Sequence, residues 1–128
     1  MCKPFIKTAA IIGALSVAIG AFGAHALKEK FTPDALNIFE TAVRYQFYHV
    51  FAVLAAGILF KEYPNKWIKY AGKLFIAGII IFCGSLYLLT TIKGLNIEGM
   101  NWVGAITPLG GIAFIAGWLS LFIGVSKK

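Results

Sequence analysis

Four long apolar runs, at about residues 8–27, 43–61, 71–92 and 101–125, leave this chain few ways to fold. A helix crosses the hydrocarbon core of a bilayer in about 20 residues, rising 1.5 Å with each. Backbone groups find no water inside that core, so each run must close its hydrogen bonds on itself as a helix. Short connections make each helix double back on its predecessor. The expected fold is all-α: a single integral membrane domain over residues 1–128, built as an antiparallel four-helix bundle. Charged residues make up only 13% of the chain, against roughly 25% in a soluble domain. The net charge of +7 arises from basic residues that flank apolar runs, the pattern of lysine at a membrane surface. It is not the clustered patch of a nucleic-acid binder, and no nucleic-acid partner is expected.

The second run is short unless its polar start is included. In "FTPDALNIFETAVRYQFYHVF", Thr32 suits an N-cap, Pro33 the first helical position and Asp34 the first turn. One helix from Pro33 to about Phe60 would run about 40 Å. Its amphipathic first part is expected at the outer interface or over the bundle mouth, and its second part across the membrane. The first run has a competing reading. "MCKPFIK" is basic, and "AHA" at 24–26 fits a signal-peptide cleavage pattern. The length of the run, and small residues at packing spacing (Ser16, Gly20 and Ala24; Ala10, Ala14 and Ala18), predict a retained span instead. Cys2 and Cys83 show no spacing that suggests a disulfide framework or a zinc site.

Lysine and arginine set the orientation. With four spans, Lys3, Lys7, Lys61, Lys66, Lys69, Lys73, Lys127 and Lys128 share one side. Lys28, Lys30, Arg44 and Lys93 fall on the other, nearly offset by Glu29, Asp34, Glu40 and Glu98. The excess of positive charge predicts a multi-pass protein of the inner (cytoplasmic) membrane with both termini cytoplasmic. The polar residues of the spans, in "GAFGAHAL", "YQFYHV", "GSLYLLT" and "GAITPLGG", are then expected to converge in the outer half.

Those segments, followed by "FIAGW", occur in order across the four spans. The chain resembles the small bacterial membrane proteins grouped as domain of unknown function 423, which are similar to the animal transmembrane protein 256. The resemblance runs from roughly Ile11 to Leu121. It implies a four-helix inner-membrane protein and no established reaction. Residues matching the recurring pattern are His25, Glu40, Tyr45, Gln46, His49, Gly84, Ser85, Tyr87, Thr107, Pro108, Gly110 and Gly111. Arg44 is not part of it.

A helical wheel of the second span places His49, Gln46, Tyr45, Ala42 and Ile38 on one face, with Glu40, Arg44 and Asn37 roughly opposite. Glu40 and Arg44 have the favourable i,i+4 order for a surface ion pair. Alternatively, Arg44 holds a lipid phosphate that Glu40 orients. His49 and Gln46 suit interhelical hydrogen bonds to Ser85 or Thr107, or a polar pocket shared with His25. Pro108 is expected to kink the fourth span, and Gly20, Gly84, Pro108, Gly110, Gly111 and Gly117 to serve close packing, with Gly110, Gly117 and Gly124 repeating every seven residues.

The expected role is non-enzymatic. Lipid, or a partner membrane protein that includes a further copy of this chain, is expected at an outer cluster drawn from His25, Glu40, Arg44, Tyr45, Gln46, His49, Ser85, Tyr87 and Thr107. No cofactor and no metal site are expected, since two histidines without a thiolate make a sparse ligand set. Two alternatives remain open. One is a small membrane enzyme, or a haem- or metal-binding protein, using His25 and His49. The other is a small transporter, which requires a deep coupling acid, whereas Glu40 is expected near an interface.

Overall fold

In the computed structural model, which describes residues 1–127, the expected helices form. They are α1 (Lys3–Lys28), α2 (Pro33–Leu59), α3 (Lys66–Gly78), α4 (Gly84–Gly94) and α5 (Thr107–Ser126). A π-helical turn at Ile79–Cys83 joins α3 to α4, so the third span is continuous over Lys66–Gly94. A 3₁₀ turn at Asn101–Ala105 leads into α5. The described residues contain four helices long and apolar enough to cross a membrane. Lys128, one of the eight clustered lysines, lies outside the described residues.

Capping chemistry fixes the helix starts. Thr32 accepts from the Ala35 N–H at 3.3 Å, and Pro33 follows in the first turn of α2. Asn65 accepts from Trp67 and Ile68 at the start of α3, and its Nδ2 donates to the Gly124 carbonyl of α5 at 3.0 Å. One residue thus caps one helix and ties it to another. Pro108 lies in the first turn of α5, where its missing N–H has no intrahelical partner to lose. It stands where the 3₁₀ turn of Asn101–Ala105 gives way to α5 within the fourth span.

Packing pairs give the helix directions. Cys2 donates its backbone N–H to the Gly57 carbonyl, Gly13 packs on Val50, and Gly20 on Val43. The partner number falls as the first number rises, so α1 and α2 run oppositely. Gly124 against Ile68, Gly117 against Phe75 and Gly110 against Phe82 show the same for α5 and the third span. One end of the bundle therefore holds the N-terminus, the 60–65 loop and the end of α5. The other, the hairpin end, holds the 29–32 and 95–100 connections.

Aromatic rings over glycines fill much of the space between helices. Phe39 covers Gly23, Phe5 covers Gly72, Phe114 covers Gly78, and Phe31 covers Gly94. At Gly110 the close neighbour is backbone: a Cβ there would lie 2.7 Å from the Phe82 Cα, inside the π turn. The seven-residue stripe Gly110, Gly117, Gly124 faces the third span. Gly84 and Gly111, expected to serve packing, have nothing within 4 Å of the point where a Cβ would stand. Their open sides look outward, because the faces that pack are the ones carrying Ser85 and Gly110. Exposed Leu15, Phe22, Ile80, Ile112, Leu119 and Phe122 present an apolar outer surface, as lipid contact requires.

Candidate functional site

The polar residues do not form one outer cluster. They divide into a buried set that joins the helices and a charged groove on the flank of the bundle.

The buried set centres on Gln46, which is thirteen residues from either end of α2. Its Nε2 donates to Ser16 Oγ of α1 at 2.7 Å, and Ser16 passes its proton to the Ile12 carbonyl at 2.7 Å. Tyr87 of α4 donates its hydroxyl to Gln46 Oε1 at 2.5 Å. One amide therefore holds three helices. One turn on, His49 makes the link to α5. Indole N–H only donates, so Trp118 Nε1 gives its proton to His49 Nε2 at 3.1 Å. His49 Nδ1 must then carry the imidazole proton and donate to the Tyr45 carbonyl at 2.8 Å. The ring lies stacked on Phe114 at 3.5 Å between centroids, 8° from parallel. Both nitrogens and one ring face of His49 are engaged within the bundle. Nearer the hairpin end, Ser85 and Thr107 share a 2.6 Å bond, and Ser85 also donates to the Phe82 carbonyl at 2.9 Å. Thr107 therefore serves as the donor to Ser85. Among the described residues, no buried side-chain polar atom lacks a partner.

His25 does not join this set, contrary to the shared pocket expected for it. It is exposed. The Gly20–Val43 pairing puts it level with residue 38 or so of α2, about 17 Å along the axis from His49. The two histidines differ in depth. Residues 33–42 of α2 are part of the packed helix, with Ala35, Phe39 and Ala42 buried, so His49 sits past the middle of α2 and not near the hairpin end. Histidine does not reach Ser85 or Thr107 through any hydrogen bond among the described residues; the two hydroxyls bond each other. The described residues hold no cluster of three or more His, Cys, Asp or Glu side chains placed to share a metal ion.

The groove lies between α1 and α2 towards the hairpin end, with a volume of about 400 Å³. Gly20, Ala24, Leu36, Phe39 and Val43 give it apolar walls, and Lys28, Glu40 and Arg44 line it as well. Gly20 keeps it open, because a Cβ there would stand 3.3 Å from Val43. The expected Glu40–Arg44 ion pair is not made among the described residues. Both side chains are exposed along the groove, where such a pair contributes only about 0–1 kcal/mol and little holds it closed. Glu40 lies six residues, about 9 Å, from the centre of α2, and Arg44 lies closer still. Both charges lie in the half of α2 nearer the hairpin end. Helical side chains slant towards the N-terminus. Arg44 therefore leans towards the hairpin end, and Lys28, on the oppositely directed α1, leans inward along the groove.

Tyr45 is the intermediate case. Its ring packs on Phe82 at 4.8 Å, its carbonyl holds His49, and it remains partly exposed. Three contributors were not singled out by the sequence: Ser16 as a hydrogen-bond partner, Trp118 and Lys28. Trp118 carried a signal, since an indole N–H deep in an apolar span needs an acceptor.

These features define a small multi-pass α-helical membrane protein whose spans are pinned by side-chain hydrogen bonds. The chain belongs to the family described as "Protein of unknown function (DUF423)", which it matches over residues 19–111. It is 40% identical to a UPF0382 membrane protein of Staphylococcus saprophyticus over 98% of both chains. It is 37% identical to one of Bacillus subtilis over 98% of each. It is also 35% identical to one of Haemophilus influenzae, over 100% of this chain and 98% of the relative. No solved structure matches it.

Proposed function

We propose that this protein is a non-enzymatic membrane protein that binds a phospholipid in the groove between α1 and α2. The observation that carries this reading is the groove's composition: Lys28 and Arg44, without ion-pair partners among the described residues, stand over apolar walls. An unpaired guanidinium recognises a phosphate through charge-assisted hydrogen bonds, while the walls accept glycerol and the upper acyl chain. The buried set supports the same reading by contrast, because Gln46, His49, Ser85, Tyr87 and Thr107 are committed to one another and to the backbone. A carrier would need a path through the bundle. Here the space beside His49 is filled by Phe75, Phe114 and Trp118, and the groove lies on the flank.

In this reading the hairpin end faces outward across the cytoplasmic membrane, supported by the eight-to-four lysine and arginine partition. The test is lipid analysis of protein purified in mild detergent. Replacing Lys28 and Arg44 together by alanine is expected to lower retained phospholipid by at least about tenfold, the effect of losing even a single charge-assisted contact. Replacing Lys61 and Lys69 at the opposite end is expected to leave it unchanged. Equal retention by parent and both variants would overturn the proposal.

A further inference from the structure

We infer that the groove selects a phospholipid whose headgroup carries a protonated amine beside its phosphate, as phosphoethanolamine does. This rests on the lipid-binding reading above and names the class of lipid.

Glu40 is the residue that sets the choice. A site built only for an anionic headgroup would be expected to line itself with cations. This groove places a carboxylate between two of them: Lys28 from α1, then Glu40 and Arg44 one turn apart on α2. None of the three forms an ion pair with another described residue. The carboxylate therefore has acceptor capacity with no protein donor bound to it, and an ionised carboxylate only accepts. It needs a donor from the occupant.

Position along the axis supplies the second half. Arg44 is rooted farther from the hairpin end, and Glu40 about 6 Å closer to it. A phospholipid enters such a groove with its acyl chains towards the bilayer middle, its phosphate next and its terminal amine farthest out. Phosphate on Arg44 and ammonium on Glu40 follow the same order, and the two-carbon link of ethanolamine is comparable in reach to one helical turn. A headgroup of glycerol leaves Glu40 facing hydroxyls and suffers like-charge repulsion against the phosphate. A choline headgroup carries charge but has no N–H to give.

The test offers the delipidated full-length protein equimolar phosphatidylethanolamine, phosphatidylcholine and phosphatidylglycerol of identical acyl chains, and reads the bound species by native mass spectrometry. The parent is expected to retain the ethanolamine lipid about tenfold over each of the others. Glu40→Gln is expected to erase that preference while still binding phosphatidylglycerol. Glu40 is exposed and bonds to no described residue, so the variant should keep the parent's circular dichroism and thermal midpoint. The comparison of ethanolamine with choline on the unaltered parent stands even if the variant misfolds. Equal retention of all three lipids, a preference for phosphatidylglycerol, or a preference that survives Glu40→Gln would sink the amine inference and leave lipid binding intact. Retention of no lipid, or of a polypeptide in its place, would overturn lipid binding as well.

Discussion

His49 shows how much a single side chain can settle. Its two nitrogens do different work, one donating to the Tyr45 carbonyl and one accepting from Trp118, while Phe114 stacks on its face. Alanine at position 49 removes the ring, both bonds and the stack, and strands an indole N–H that lipid cannot satisfy. The expected cost is about 2–4 kcal/mol, in the range of large-to-small core changes. Trp118→Phe removes one interhelical bond and keeps an aromatic ring, so about 0.6–1.7 kcal/mol is expected. Unfolding titrations in mixed micelles would compare the two; a Trp118→Phe loss as large as that of His49→Ala would mean the bond, not the stacked ring, dominates. That His49 needed a buried partner was legible from its place in an apolar run. The partner was not, because Trp118 lies 69 residues away, and only the shared direction of α2 and α5 brings the two together. His25 misled for the converse reason: histidines near each other on a diagram of spans are separated by the antiparallel register of α1 on α2.

At the scale of elements, the four spans and the cap of α2 could be read from hydrophobic length and from "TPD" at 32–34. The π turn could not. "IIIFC" at 79–83 is as apolar as the rest of its run, and the wide turn is shaped by what packs beside it. Gly110 meets the Phe82 backbone there, and the downstream face delivers Ser85 to Thr107 and Tyr87 to Gln46. The adjacent glycines of "PLGG" provide a direct test. Gly110→Ala drives a methyl into main chain that cannot swing aside as a side chain would, and a loss of about 1–3 kcal/mol is expected from overpacking. Gly111→Ala has open space around it and is expected to stabilise by up to about 1 kcal/mol through helix propensity. Detergent melting curves of the pair would carry opposite signs. Matching losses would show that position 111 also packs, against a neighbour in the membrane.

At the scale of the whole molecule, orientation decides which leaflet supplies the groove. The N-terminus, the 60–65 loop and the end of α5 gather at one end of the bundle, together with most of the described lysines, and some of these rest on aromatic rings. Lys66 lies 5.5 Å from the Trp67 ring and Lys69 5.3 Å from that of Phe60. Such contacts anchor cations at the headgroup level. The hairpin end instead pairs its few cations with a similar number of acids, so little opposes its passage across the membrane. The expected arrangement is that Glu98 faces outward and Lys127 inward. In a Cys2→Ser background, a cysteine at position 98 should react with a membrane-impermeant maleimide in intact cells. One at position 127 should react only after permeabilisation. Cys83 is buried within the third span and adds no background of its own. The reverse pattern would move the groove to the cytoplasmic leaflet, and Lys28, Glu40 and Arg44 would then draw on that leaflet's lipids. Their order along the groove would stay the same, because it is fixed by α1 and α2 and not by the membrane around them.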